Sequence, residues 1–235
     1  MPSSKKILVV DGDALWRERI STSLASPLTT VESVATAAEA LDYARREKPD
    51  LIATELALPD ITGIGLCRLV REEPALLHTG ILMVTGHASE IDRILAFENG
   101  VDDFLAKPFY PRELASRVGA VLRRSSGLRH AIGEGEPSLG GGPTVHIAAG
   151  SIVVGDQRLE LTPREHNLLA ALIRQAGRVV TRRQLIEMVW GDDAAHTDRV
   201  IDAHVKAIRR KLGDAKECLE TVRGVGYRFS ELGRR

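Results

Sequence analysis

The stretch PDLIATELALPD, Pro49–Asp60, decides how this chain folds. A proline and an acid precede a short apolar run, Leu51–Thr54, which closes on the carboxylate of Glu55 and passes into a Leu-Pro-Asp turn. Short apolar runs bounded by turn-forming residues mark strands buried on both faces, because a strand with one wet face would alternate. The same plan recurs on either side. KKILVVDGD (Lys5–Asp13) ends in acid, ILMVTG (Ile81–Gly86) ends in threonine and glycine, and FLAKPF (Phe104–Phe109) ends in lysine and proline. Between these runs lie amphipathic stretches such as ALWRERISTSLAS (Ala14–Ser26), AAEALDYARREKP (Ala37–Pro49) and PRELASRVGAVLRR (Pro111–Arg124). Five strands alternating with five helices predict an α/β domain, a parallel sheet covered on both faces. The crevice that such a sheet uses lies beyond the carboxyl ends of its strands, where strand order reverses. Asp11, Glu55, Thr85 and Lys107 all stand at those ends.

Length and composition bound the rest. The 235 residues, 43% apolar and 27% charged, suit a globular protein of two ordinary domains. No run approaches the ~18 apolar residues of a membrane span. The opening MPSSKKILVVDGD lacks the layout of a signal peptide, so a cytoplasmic address with no membrane partner is expected. Cys67 and Cys218 are far apart and without CxxC spacing, which implies neither a disulfide framework nor a metal site. Residues 125–143, rich in Gly and Pro and without apolar periodicity, read as a flexible linker between a domain at 1–124 and one at 144–235. The first domain holds 15 Lys+Arg against 18 Asp+Glu and the second 16 against 12, so only the second is net basic, as a phosphate-binding surface requires.

The second domain reads as α+β. VHIAAGSIVVGDQRLELT (Val145–Thr162) predicts short hairpin strands with turns at Gly150 and Gly155-Asp156. A helix starts at Thr162 as N-cap, with Pro163 first and Glu165 third. A second runs from about Arg182 to Val189, capped by Thr181, and a third from about Asp198 to Leu212. In the third, Val200, Ile201, Ala203, Val205, Ile208 and Leu212 face a core while Arg199, Lys206, Arg209 and Arg210 project away, and Gly224 and Gly226 flank a final hairpin. A helix cationic along one face suits a major groove, where phosphates line the walls and arginine can bind guanine edges.

Taken together, KKILVVDGD, PDLIATELALPD and FLAKPF resemble a response-regulator receiver domain of the flavodoxin-like (βα)5 type. LTPREHNLLAALI, VVTRRQLIEMVWG, DRVIDAHVKAIRRKLG and LETVRGVGYRF resemble the winged helix-turn-helix output domain of the OmpR/PhoB family. The resemblance spans nearly the whole chain and implies a transcriptional regulator, not an enzyme, that dimerises through its receiver and binds double-stranded DNA at tandem repeats. Carried over residue by residue, it makes Glu55 the phosphoacceptor position, Asp11 and Gly12 the cation-binding pair, Thr85 and Lys107 the phosphoryl-binding groups and Phe104 the aromatic that swings inward on activation. It assigns a dimer face to the charged residues Arg93, Glu98, Asp102, Asp103, Glu113, Arg117 and Arg124 with the apolar Ile94, Phe97 and Ala115. DNA contacts fall on Arg199, His204, Lys206 and Arg209 of the third helix and on Thr221 and Arg223 of the wing, and the Trp190–Thr197 loop is where relatives touch RNA polymerase.

Two departures lie at the acceptor site. Gly12 replaces the second acid, and magnesium, which is usually held by one or two carboxylates in octahedral geometry, should bind weakly or not at all, so no cofactor is expected. Glu55 replaces the aspartate and carries one extra methylene, which misplaces the carboxylate for in-line attack on a phosphoryl donor. Phosphorylation by a sensor kinase or a small phosphodonor is therefore expected to be lost or vestigial. The longer arm could reach Lys107 and Thr85 and imitate part of the phosphorylated state; the other reading makes Glu55 a solvated strand-end acid paired with Lys107 on a fixed scaffold. Ala207 stands at a position that is basic in some relatives, where a methyl could still touch thymine. Two further functional readings stay open: a conventional phosphorylation switch that tolerates both departures, and a receiver that binds a partner or small ligand controlling DNA binding.

Overall fold

The computed structural model describes residues 4–127, 145–148, 151–155, 157–191 and 198–230. It divides into two compact units, Met1–Ser126 and Gly127–Arg235.

In the first unit, strands β1 (Lys5–Val10), β2 (Thr29–Val34), β3 (Leu51–Thr54), β4 (Gly80–Thr85) and β5 (Asp103–Ala106) alternate with helices α1 (Ala14–Leu24), α2 (Ala37–Glu47), α3 (Gly63–Glu72), α4 (Glu90–Glu98) and α5 (Pro111–Gly127). The sheet is parallel, in the order β2-β1-β3-β4-β5. The chain leaves β1 toward one edge and returns across it to β3, so the order reverses between these two strands. Val10 is level with Thr54, which sets the strand-end acids Asp11 and Glu55 side by side. β1, β3 and β4 are buried almost throughout, as continuous apolar runs require, whereas the edge strand β2 alternates. Ile7, Val9, Leu51, Ala53, Leu82, Val84 and Leu105 meet Ile20 and Leu24 of α1 and Leu114, Val118 and Val121 of α5 in one core.

The sequence also fixes where helices begin. Asp13 caps α1, Thr36 and Glu39 form a capping box on α2, Thr62 caps α3, and Ser89 with Asp92 box α4. Asp60, the last residue of the deciding stretch, accepts from the amides of Ala37 and Ala38 at 3.0 and 2.9 Å, tying the β3–α3 turn to the start of α2. The Ala37 bond above all holds its carboxyl below the ordinary aspartate range. Helix α5 runs on to Gly127, past the expected boundary at 124, because Ser125 and Ser126 continue the helical backbone rather than start the linker. The remainder of the expected linker, residues 128–143, lies outside the described residues.

In the second unit β6 (Val145–Ala148), β7 (Ser151–Val154) and β8 (Gln157–Arg158) make a small antiparallel sheet. Helix α6 (Pro163–Arg174), strand β9 (Val179–Thr181), helix α7 (Arg182–Trp190), helix α8 (Asp198–Leu212) and the hairpin β10 (Leu219–Val222) and β11 (Gly226–Phe229) follow. The second sheet has the order β10-β11-β9, which completes a winged helix. Gly150, Asp156 and residues 192–197 of the Trp190–Thr197 loop lie outside the described residues. Capping boxes at Thr162/Glu165 and Thr181/Gln184 open α6 and α7. Buried Glu165 also accepts from Lys211 of α8 at 2.6 Å, joining the two helices by a charge-assisted bond.

Strand β11 crosses β9 so closely that a Cβ on Gly226 would lie 2.0 Å from the Val180 carbonyl oxygen. Gly226→Ala is therefore expected to force the two backbones apart. The second unit should lose about 1–3 kcal/mol, the usual cost of overpacking, seen as a lowered midpoint in thermal unfolding followed by circular dichroism.

Candidate functional site

At the strand ends of the first unit a crevice of about 650 Å³ is lined by Asp11, Gly12, Trp16, Glu55, Thr85 and Lys107 among others. Its centre is the ammonium of Lys107, 2.5 Å from Asp11 Oδ2 and 2.6 Å from Glu55 Oε2. All three side chains are nearly buried, at 5%, 4% and 12% exposure. The Trp16 ring covers the ammonium at 4.8 Å and packs on Phe109. Every remaining carboxylate oxygen has a donor: Glu55 Oε1 accepts from the Leu56 amide at 2.6 Å and Asp11 Oδ1 from the Asp13 amide at 2.9 Å.

These residues do not fit a magnesium ion. The two carboxylates are joined through a cation that the chain itself supplies, Gly12 offers no side chain, and Asp13 is turned into the helix, its Oδ1 accepting from Leu15 N at 2.8 Å. A Cβ at position 12 would lie 3.2 Å from Pro59 Cγ, so a side chain there would have to shift the ring by a few tenths of an ångström. Among the described residues no group of three or more His, Cys, Asp or Glu could hold a metal. Thr85 is not part of the cluster, contrary to the reach expected of Glu55. Its hydroxyl donates to the His87 carbonyl at 3.1 Å and accepts the His87 amide at 3.3 Å. Phe104 is buried at 8% exposure, with the Arg93 guanidinium 5.0 Å above its ring.

The residues assigned to a dimer face separate into two groups. Arg93, Glu113 and Ala115 are exposed, and Ile94 and Glu98 are half-exposed. Phe97 and Asp102 are corrected to interior positions, at 2% and 1% exposure. Asp102 sits just before β5, where its Oδ2 takes the Ile81 amide at 2.7 Å and the Arg71 guanidinium at 3.0 Å, so it anchors the sheet. Asp103 and Arg117 are also buried and pair with each other at 3.3 Å, while Arg117 reaches Glu113 at 3.2 Å. The side chain of Arg124 lies outside the described residues. The sequence reading passed over Ile91 and Leu95, 69% and 43% exposed on α4; their i,i+4 spacing beside Ile94 was the available signal.

In the second unit the exposed face of α8 carries Arg199, Asp202, Lys206 and Arg210. His204, expected on DNA, is wholly buried and stacks on Trp190 at 5.3 Å, since two residues from either Asp202 or Lys206 is the far side of a 3.6-residue period. Ala207, one turn on from His204, is buried too and cannot meet a thymine methyl. Arg209 is folded back. It holds the Leu219 carbonyl at 3.1 Å from Nε and the Thr221 hydroxyl at 2.8 Å, bracing the helix against the wing. Thr221 and Arg223 are exposed. The sequence reading missed the cluster that joins α7, α8 and β11, where Asp202 accepts from Arg182 Nε at 2.7 Å and from the Tyr227 hydroxyl at 2.6 Å. Burial, reinforced by the Asp202 carboxylate, pushes the Tyr227 phenol up to about 12.

Comparisons with known proteins follow this division. A receiver-domain model, described as "Response regulator receiver domain", matches residues 7–119, and "Transcriptional regulatory protein, C terminal" matches 156–229. The chain is similar to the alkaline phosphatase synthesis transcriptional regulatory protein PhoP of Bacillus subtilis, 36% identical over 97% of this chain and 98% of the relative. It is also similar to the phosphate regulon transcriptional regulatory protein PhoB of Pseudomonas aeruginosa, 35% identical over 96% and 97%. A solved structure of a RitR variant superposes with a TM-score of 0.73 at 26% identity, over 96% of this chain and 99% of the other.

Two outcomes are expected from this geometry. Lys107→Met would leave Asp11 and Glu55 facing each other in a buried site without their shared cation. That should cost about 3–5 kcal/mol of receiver stability in urea unfolding, the usual range for removing one partner of a buried pair. Spectrophotometric titration should show a phenol ionising at about 12 that Tyr227→Phe abolishes. Because the folded value is raised, the contribution of Tyr227 to the second unit's stability is fully present below ~10 and is lost as pH climbs from there through the folded value.

Proposed function

As a member of the OmpR/PhoB family of response regulators, this chain joins a receiver to a transcriptional regulatory output domain, and we propose that it binds promoter DNA as a dimer without phosphoryl transfer to its receiver. The observation that carries the reading is Lys107 bound at once to Asp11 and Glu55. A phosphoacceptor must present a free carboxylate oxygen in line with the donor, with a cation to neutralise the incoming charge. Here both Glu55 oxygens are engaged, one by the ammonium and one by a backbone amide. The pair Asp11 and Gly12 supplies a single acid, so no dedicated cation site remains, and attack by Glu55 would first have to break two charge-assisted bonds.

The same contact supports a receiver set permanently in one arrangement. In a phosphorylating relative the lysine would meet a transferred phosphate; here the glutamate delivers its own negative charge to that lysine. Phe104 is already packed inward beneath Arg93, and as a phenylalanine it has no hydroxyl to draw it toward water. Ile91 and Leu95, exposed beside Ile94, Arg93 and Glu113, give a face with apolar and oppositely charged positions, as a two-fold isologous contact requires. A tight receiver pair would place two output domains on tandem half-sites, with α8 entering the major groove through Arg199, Lys206 and Arg210, and Arg223 of the wing at the minor groove.

Two measurements test this. The untreated protein should retard a promoter duplex selected from a random pool and sediment as a dimer. Acetyl phosphate with magnesium should label no residue and change duplex affinity less than 2-fold; labelling of Glu55 with a large gain in DNA binding would defeat the proposal. Lys206→Ala and Arg223→Ala should each weaken binding to all duplexes alike and flatten the log–log salt dependence by about 1.

A further inference from the structure

Two carboxylates, Asp198 and Asp202, stand on the exposed face of α8 with its cations, and the surroundings of Asp202 give it a task. DNA phosphates repel an acid in the major groove, so Asp202 between Arg199 and Lys206 weakens non-specific attraction. A purely structural role would account for it if both carboxylate oxygens were held within the domain. Only one is. Arg182 Nε and the Tyr227 hydroxyl both donate to Oδ1, at 2.7 and 2.6 Å, and no hydrogen bond among the described residues reaches Oδ2. The side chain is 46% exposed, against 16% for Arg182. The Arg182 guanidinium in turn lies 5.0 Å over the Tyr227 ring, so both donors are themselves fixed. The carboxylate is thus oriented by two anchors from α7 and β11, and its second acceptor is left on the side open to solvent. Asp202 is the fifth residue of α8, in the N-terminal half from which recognition helices reach base edges.

Resting on the DNA-binding reading above, we propose that Asp202 is a base-reading residue, its Oδ2 accepting a hydrogen bond from the N4 amino group of a cytosine in each half-site. The major groove offers an acid only two donors, cytosine N4 and adenine N6. Adenine sets the N7 acceptor beside its amino group, and a carboxylate would face that lone pair; cytosine has no such neighbour. Arg182 and Tyr227 are positioning residues, because they touch the acid and not the base.

The test uses the full chain. Wild-type protein selecting from a random duplex pool should enrich cytosine at one position per half-site. Asp202→Asn keeps an acceptor for Arg182 and Tyr227 but puts an amide donor in place of Oδ2, so it should lose that preference by about 10-fold while holding its affinity for the rest of the site. Replacing the chosen cytosine by its analogue lacking the 4-amino group should weaken wild-type binding about 10-fold and Asp202→Asn binding hardly at all. The assignment is overturned if the variant selects the same base at every position. A preference for adenine there, or an equal loss on every duplex together with a lowered melting temperature, would overturn it too. Failure of the wild-type chain to retain any duplex would defeat the DNA-binding reading itself, and this inference with it; intact selection with an unmoved base preference defeats this one alone.

Discussion

An ammonium clasped by two buried carboxylates is the constraint around which the receiver is arranged. Lys107 comes from the end of β5, Asp11 from the end of β1 and Glu55 from the end of β3, so one cation joins three strands at the sheet's open edge. Isolated acids there would repel one another and would be costly to remove from water; an isolated lysine would be as poorly placed. Together they are mutually satisfied, with Trp16 closing the top and backbone amides completing the oxygens. The register that sets Val10 level with Thr54 brings the acids within one lysine's reach.

Much of this was legible in the residues. Apolar runs, caps and turn glycines specified the five strands and helices of the first unit, and TPRE, TRRQL and the Gly224/Gly226 pair specified the second. These signals are local, and local signals survive without coordinates. The strand-end residues were legible because topology forces them together: Lys107 does meet Glu55. The errors came from relations that no single segment carries. Thr85 turned to its own loop, and Asp102 was claimed by Arg71, thirty-one positions away. His204 failed for another reason. The family resemblance assigned it to DNA, yet a period of 3.6 places it inward beside Ile201 and Val205. The Asp202 cluster was invisible because its three members come from three separate elements.

The two units divide their electrostatics differently. In the receiver the important charges are internal and paired: Lys107 with Asp11 and Glu55, Arg71 with Asp102, Arg117 with Asp103. Such pairs fix geometry more than they attract ligands, since their fields are closed over short distances in a buried setting. In the winged helix the cations Arg199, Lys206, Arg210 and Arg223 lie on the surface, where their fields extend outward into salt-screened solvent. Arg209 bridges the two styles, charged but turned inward onto the Leu219 carbonyl.

The proline that overhangs Gly12 sets what any side chain at that position would meet. With Pro59 Cγ only 3.2 Å from where a Cβ would start, even an alanine there would have to push the ring aside by a few tenths of an ångström. An acid introduced there alone would therefore have to displace the ring before its carboxylate could join the site.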